Sequence, residues 1–114
     1  MCSSDLPDSP NVLIDLGKIL NTLRESDKAK AVFLEAVRID PDNPHAHHGV
    51  GLAAMTQEDY ETAIEYFLNA IDRMYHYPLA HLHLGETLAF IKEYELAKSS
   101  FEVVASIAPS VKKT

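Results

Sequence analysis

The chain repeats itself at one fixed interval. Gly17, Gly51 and Gly85 stand 34 residues apart, and each is followed at constant distances by an alanine (Ala29, Ala63, Ala97) and a phenylalanine (Phe33, Phe67, Phe101). A period of this length is the mark of stacked helix pairs. One pair alone cannot bury its apolar face, so neighbouring pairs must do it. The product is an elongated surface suited to holding another chain, with no reaction chemistry of its own.

Three blocks follow, at 10–43, 44–77 and 78–111, opening on Pro10, Pro44 and Pro78. Proline is favoured in the first turn of a helix, where its missing N–H has no partner to lose. In the first block Val12, Leu13, Leu16, Ile19, Leu20 and Leu23 recur at helical spacing, as do Ala31, Val32, Ala36, Val37 and Ile39. Polar turns are predicted at 24–27, 57–59 and 92–93, and Asp40-Pro41-Asp42-Asn43-Pro44 reads as a stop between blocks. The middle block has Tyr75 where the first has Pro41, which predicts a longer helix or a wider turn over 74–77. No period of two occurs, so no strand is predicted. Mid-helix glycine costs about 0.5–1 kcal/mol relative to alanine, so three in register imply close packing, with the phenylalanines filling the space beside them.

Composition narrows the function. The chain has 114 residues, enough for one domain, with a formal net charge of -7. That balance argues against nucleic acid and against an anionic membrane surface, both of which select clustered Lys and Arg. The single cysteine, Cys2, cannot form an internal disulfide, and the polar start has no basic or apolar leader, so a cytoplasmic location is expected. Residues 1–9 and 112–114 read as tails, the first of them flexible.

At its registered positions the chain resembles the tetratricopeptide repeat family, over 10–111. Leu16-Gly17, Val50-Gly51 and Leu84-Gly85 match that family's first-helix pattern, the Ala/Phe pairs match its second, and Pro41 and Pro109 match its closing proline. Leu13, His47 and His81 replace an early aromatic, and Ser26 replaces a tyrosine kept at Tyr60 and Tyr94. The resemblance implies an all-α solenoid of three antiparallel helix pairs in a right-handed superhelix, its first helices lining a concave groove. It also implies a capping helix that the residues after Pro109 do not supply. Either more helix follows in a longer protein, or the last pair meets a second copy.

By the same resemblance the groove presents Asn11, Ile14, Lys18, Asn21, Thr22, His45, His48, Leu52, Met55, Thr56, Leu79, Leu82, His83, Glu86, Ala89 and Phe90. Some family members hold a chaperone's C-terminal carboxylate with a basic clamp. The matching positions here are Ile14, Lys18, Gly49, Leu79 and His83, and only Lys18 fits, so no such clamp is expected. What remains is largely apolar. Either it meets a partner helix or extended peptide, or it closes on itself as inner core.

His45 and His48 share a helix face and His83 is within reach from the next block, yet no Cys or carboxylate stands at ligand spacing, so no metal and no cofactor are expected. A charge change of His45, His48 and His83 below about pH 6 that alters binding stays open, and His47 and His81 read as half-buried spacers. The paired carboxylates fall on turns and outer faces, and no nucleophile–base pair or phosphate loop is readable. The expected function is therefore a non-catalytic interaction module for a protein or peptide. Two other readings stay open: a regulatory or substrate-positioning domain of a transferase or hydrolase encoded beyond this chain, and a scaffold that self-associates through its last helix pair.

Overall fold

The computed structural model describes residues 9–107. Cys2, Pro109 and the expected tails, apart from Ser9, lie outside the described residues. Among the described residues six helices run in order: α1 (Pro10–Thr22), α2 (Ser26–Ile39), α3 (Pro44–Thr56), α4 (Tyr60–Arg73), α5 (Pro78–Phe90) and α6 (Tyr94–Ile107). The odd-numbered helices each begin on their proline. Asn43 and Asp59 accept hydrogen bonds from the His45 and Thr62 amides and so cap α3 and α4.

Each helix packs on its neighbours in sequence, and α3 also touches α1 and α5, whereas α2, α4 and α6 do not touch one another. The odd helices therefore form the tighter, inner layer of a curved stack measuring 49 × 26 × 25 Å. This is the all-α solenoid that the period implies. The core runs along it as a string of clusters: Leu13, Ala29, Phe33 and Val50 in the first, Ala54, Ala63, Phe67 and Leu84 in the second, Ala70, Tyr77 and Ala80 in the third.

The registered glycines and phenylalanines meet directly. A Cβ on Gly17 would lie 2.6 Å from the Phe33 ring, on Gly51 2.5 Å from Phe67, and on Gly85 2.8 Å from Phe101. Each ring thus lies against bare backbone in a space that a methyl group would fill. Phe33 is sandwiched, because Gly49 of the next pair presses on it more closely still.

The turns inside the three pairs are identical and strained. Arg24, Glu58 and Lys92 have φ of 69°, 62° and 68°, the left-handed region usually given to glycine. The Arg24 amide donates to the Asn21 carbonyl at 3.1 Å and the Glu25 amide to Leu20 at 2.9 Å, and the same two bonds recur at 58–59 and 92–93. This pattern ends a helix by satisfying its last carbonyls.

The junction at 74–77 carries no longer helix. Instead α4 stops at Arg73, the position matching Ile39 in α2. The turn itself differs. Tyr77 donates to the Tyr75 carbonyl at 2.8 Å, a three-residue turn, where Asn43 donates to Asp40 at 3.1 Å.

Candidate functional site

The concave face is built from α1, α3 and α5, and equivalent residues form rows across it. One row is Lys18, Leu52 and Glu86; a second is Asn21, Met55 and Ala89; a third is Thr22, Thr56 and Phe90. Between α3 and α5 the face opens into a cleft of about 490 Å³ lined by Arg24, Leu52, Met55, Thr56, Glu58, Tyr60, His83, Glu86 and Phe90. Phe90 is 59% exposed and stacks on Tyr60, with ring centroids 5.4 Å apart and planes 14° from parallel. On its other side a second cleft of about 570 Å³ is lined by Met55, Glu86, Ala89, Phe90 and Phe101. Phe90 is a ridge between two hollows.

Six of the residues expected in the groove come together in the first cleft: Leu52, Met55, Thr56, His83, Glu86 and Phe90. Lys18 is exposed, Asn21 and Leu82 are half-buried, and His45 and Leu79 are exposed. Ile14 is different. It belongs to the core cluster with Leu13 and Phe33 at 4% exposure and offers no groove surface. It packs inward with Leu13 and the Phe33 ring, as its register equivalent His48 is buried one repeat on.

His48 is also drawn in. It is buried at 5% exposure, and its Nε2 shares a hydrogen bond of 2.9 Å with Nδ1 of His83. His83 stacks on Phe67, centroids 6.0 Å apart, and His45 Nδ1 pairs with the Tyr77 hydroxyl at 3.0 Å. One proton shared between two imidazoles requires the accepting ring to be neutral, and burial disfavours charge on both. Burial first, and then the nearby His83, His45 and Lys18, hold His48 down at about 3, far below the usual imidazole range. Burial also lowers His83, partly offset by Glu86, and pushes the Tyr77 hydroxyl up to about 12. His48 therefore takes up no proton near pH 6, which removes it from the expected set of pH-sensitive groove residues.

His47 and His81 are buried rather than half-buried, at 5% and 4% exposure. Each donates from Nε2 to the carbonyl of the preceding junction, His47 to Pro41 at 2.7 Å and His81 to Tyr75 at 2.9 Å. They tie each linker to the helix it leads into. Among the described residues no cluster of three or more His, Cys, Asp or Glu side chains is placed to hold a metal ion.

Arg24, Glu58 and Tyr60 were missing from the sequence-based groove. Their signal was present in the register: Arg24 and Glu58 are equivalent turn residues, and Tyr60 occupies the tyrosine position of its block. At the far end Phe101 is 38% exposed, whereas Phe33 and Phe67 are 1% and 0% exposed. Phe101 helps to line a further apolar hollow of about 470 Å³ with Ala89, Tyr94, Ala97 and Lys98.

Two family models, both described as Tetratricopeptide repeat, match the chain, one over residues 10–43 and the other over 49–111. A mouse protein, the Protein O-mannosyl-transferase TMTC3, is 24% identical over 102 residues, which is 87% of this chain and 11% of that protein. Among solved structures, MamA superposes with a TM-score of 0.83 at 24% identity, covering 90% of this chain and 60% of MamA. The first tetratricopeptide domain of Spaghetti (RPAP3), bound to the HSP90 peptide SRMEEVD, superposes at 0.85 with 21% identity, covering 88% of this chain and 79% of that one. The Arabidopsis OM64 domain superposes at 0.86 with 17% identity, covering 90% and 85%. At these identities the superpositions establish the shared fold.

Proposed function

This chain belongs to the tetratricopeptide repeat family, and from that premise we propose that it is a non-catalytic interaction module which seats a peptide of a partner protein on its concave face. One observation carries the reading: the cleft between α3 and α5, with Leu52, Met55 and a Phe90 that stays 59% exposed. An aromatic ridge between a mixed cleft and an apolar hollow has surface to gain from a guest side chain, at about 25 cal/mol for each Å² of apolar surface it removes from water. The polar groups around it, His83, Glu86, Arg24 and Glu58, supply orientation.

The RPAP3 domains of the same fold hold an HSP90 peptide. The basic clamp for a terminal carboxylate is not part of this proposal. Of its five positions Ile14 is buried and Gly49 lies under Phe33, leaving Lys18 as its only lysine or arginine.

A titration of methyl-labelled protein with partner-derived peptides tests the reading. Shifts at Met55, Leu52 and Leu82 are expected, and a response confined to the outer helices would reject it. The match to a stretch of a far longer transferase favours a second reading, a positioning domain within a larger enzyme. The exposed Phe101 end favours a third, self-association, which light scattering across a concentration series tests; a monomer throughout removes it. A cytoplasmic setting without nucleic acid or membrane partners belongs to the proposal and rests on the acidic charge and the lone Cys2. No helix among the described residues is long and apolar enough to cross a membrane.

A further inference from the structure

Resting on the groove reading above, we infer that the groove distinguishes the two ends of its guest: it takes an extended segment in which one acidic and one basic side chain flank an apolar one, the acidic end over α1 and the basic end over α5. The carrier is the row Lys18, Leu52, Glu86, three residues in identical register on the three inner helices. Across the floor the row runs from positive through apolar to negative.

The two charges are available. Lys18 is exposed and Glu86 half-exposed, and among the described residues neither takes part in an ion pair. The middle station, Leu52, opens into the 490 Å³ cleft with Met55 and Phe90. Glu86 borders that cleft and the adjoining one.

The other charges nearby do not undo this polarity. Asp15 is in the register of Gly49 and His83, which meet Phe33 and Phe67 of the preceding helix pair. It therefore faces the N-terminal side of the stack rather than across the floor. Arg24 and Glu58, at the mouth, are opposite in sign and close to cancelling. The two imidazoles between the ends, His48 and His83, are hydrogen-bonded to one another, and burial disfavours charge on both. Both end charges reach the floor electrically, since Lys18 disfavours a proton on His48 while Glu86 favours one on His83.

The span follows from helix packing. Adjacent helices sit about 8–10 Å apart, so Lys18 and Glu86, with α3 between them, are about 16–20 Å apart. An extended chain advancing about 3.3 Å per residue covers that in about five or six residues. A guest laid in the reverse direction sets like charge against like at both ends. Such complementarity contributes selectivity and orientation more than raw affinity.

Selection from a random displayed-peptide library tests this, run against the wild-type chain and against Lys18→Glu and Glu86→Lys, with circular dichroism verifying that each variant is folded. Peptides enriched on wild type should carry an acid and a base about five or six residues apart around an apolar residue. Lys18→Glu should exchange the acidic preference for a basic one and leave the other end unchanged. Glu86→Lys should do the converse. Each variant should weaken a wild-type-selected peptide by roughly tenfold at low salt, less at high salt.

Peptides that need Phe90, losing binding in Phe90→Ala, yet show no charge pairing or ignore both charge variants, would overturn this inference and leave the groove reading standing. Peptides indifferent to Phe90→Ala, or no enrichment at all, would overturn both.

Discussion

The seam between α2 and α3 and the seam between α4 and α5 are the same joint in the same register, yet they are built differently. In the first, Phe33 lies between Gly17 and Gly49 and the joint closes on bare backbone. In the second, the place of Gly49 is taken by His83, whose ring stacks on Phe67 and hydrogen-bonds to His48. The first seam is tightly closed and has drawn Ile14 into it. The second is polar and borders the cleft. One repeat position thus serves as bare backbone for a ring to close on in one pair and as a chemical group in the next, and the function follows the difference.

Exchanging those two residues should break the comparison most visibly. Gly49→His must place an imidazole where a methyl group already collides with Phe33, and a loss of more than about 4 kcal/mol, or failure to fold, is expected. His83→Gly only leaves a hollow over Phe67 and should cost about 1–3 kcal/mol. Urea unfolding of both variants measures the contrast; equal costs would mean that the seams are interchangeable.

Truncating the rings should hurt both seams alike. Phe33→Ala and Phe67→Ala are each expected to cost about 3–5 kcal/mol, as burial this complete implies. A much smaller loss at Phe67 would show that the two histidines can carry the second seam without it.

Acid should act on the second seam through His48. His48 titrates at about 3 when folded and near 6.5 when unfolded. Between those values the unfolded chain binds the extra proton, so stability rises with pH. The contribution is complete above about pH 6.5 and is lost as pH falls toward 3, on the order of 5 kcal/mol in all. Chemical unfolding from pH 7 to pH 4 of wild type and His48→Gln reads it. The acid-dependent loss should shrink in the variant, and identical slopes would reject the assignment.

The turns give the smallest effect and serve as a control, because they do not differ between pairs. Arg24→Gly, Glu58→Gly and Lys92→Gly should each relieve a left-handed φ and stabilise by about 0.5–1 kcal/mol. Thermal melts would show it as three similar upward shifts, and a decrease at any one would mean that its side chain holds the fold.

The architecture was legible because the period states it redundantly. Pro10, Pro44 and Pro78 mark the helix starts, and Gly17, Gly51 and Gly85 each face the phenylalanine of their own block. The groove was legible only in part. Leu52, Met55, His83, Glu86 and Phe90 line the cleft as their helix positions suggest. Ile14 and His48 share a row with Leu82, yet both are buried, because their surroundings are set by residues one repeat away. A contact such as His48 with His83 depends on how consecutive pairs are rotated against one another, and helical periodicity within one block carries no information about that. The junction at 74–77 was misjudged in its alternatives for a simpler reason: a helix can end without proline when a short turn satisfies its backbone.

The left-handed residues of the three turns have a consequence for how such a surface evolves. Glycine there would relax the backbone and erase the side chain. With Arg24, Glu58 and Lys92 instead, each turn displays a variable letter at the rim, tethered to the scaffold but outside its core. Mutations at those letters can rewrite the charge seen by an arriving ligand while the stack beneath them keeps its shape. A modest local strain thereby separates the heritable part of recognition from the part that must stay fixed for the chain to fold.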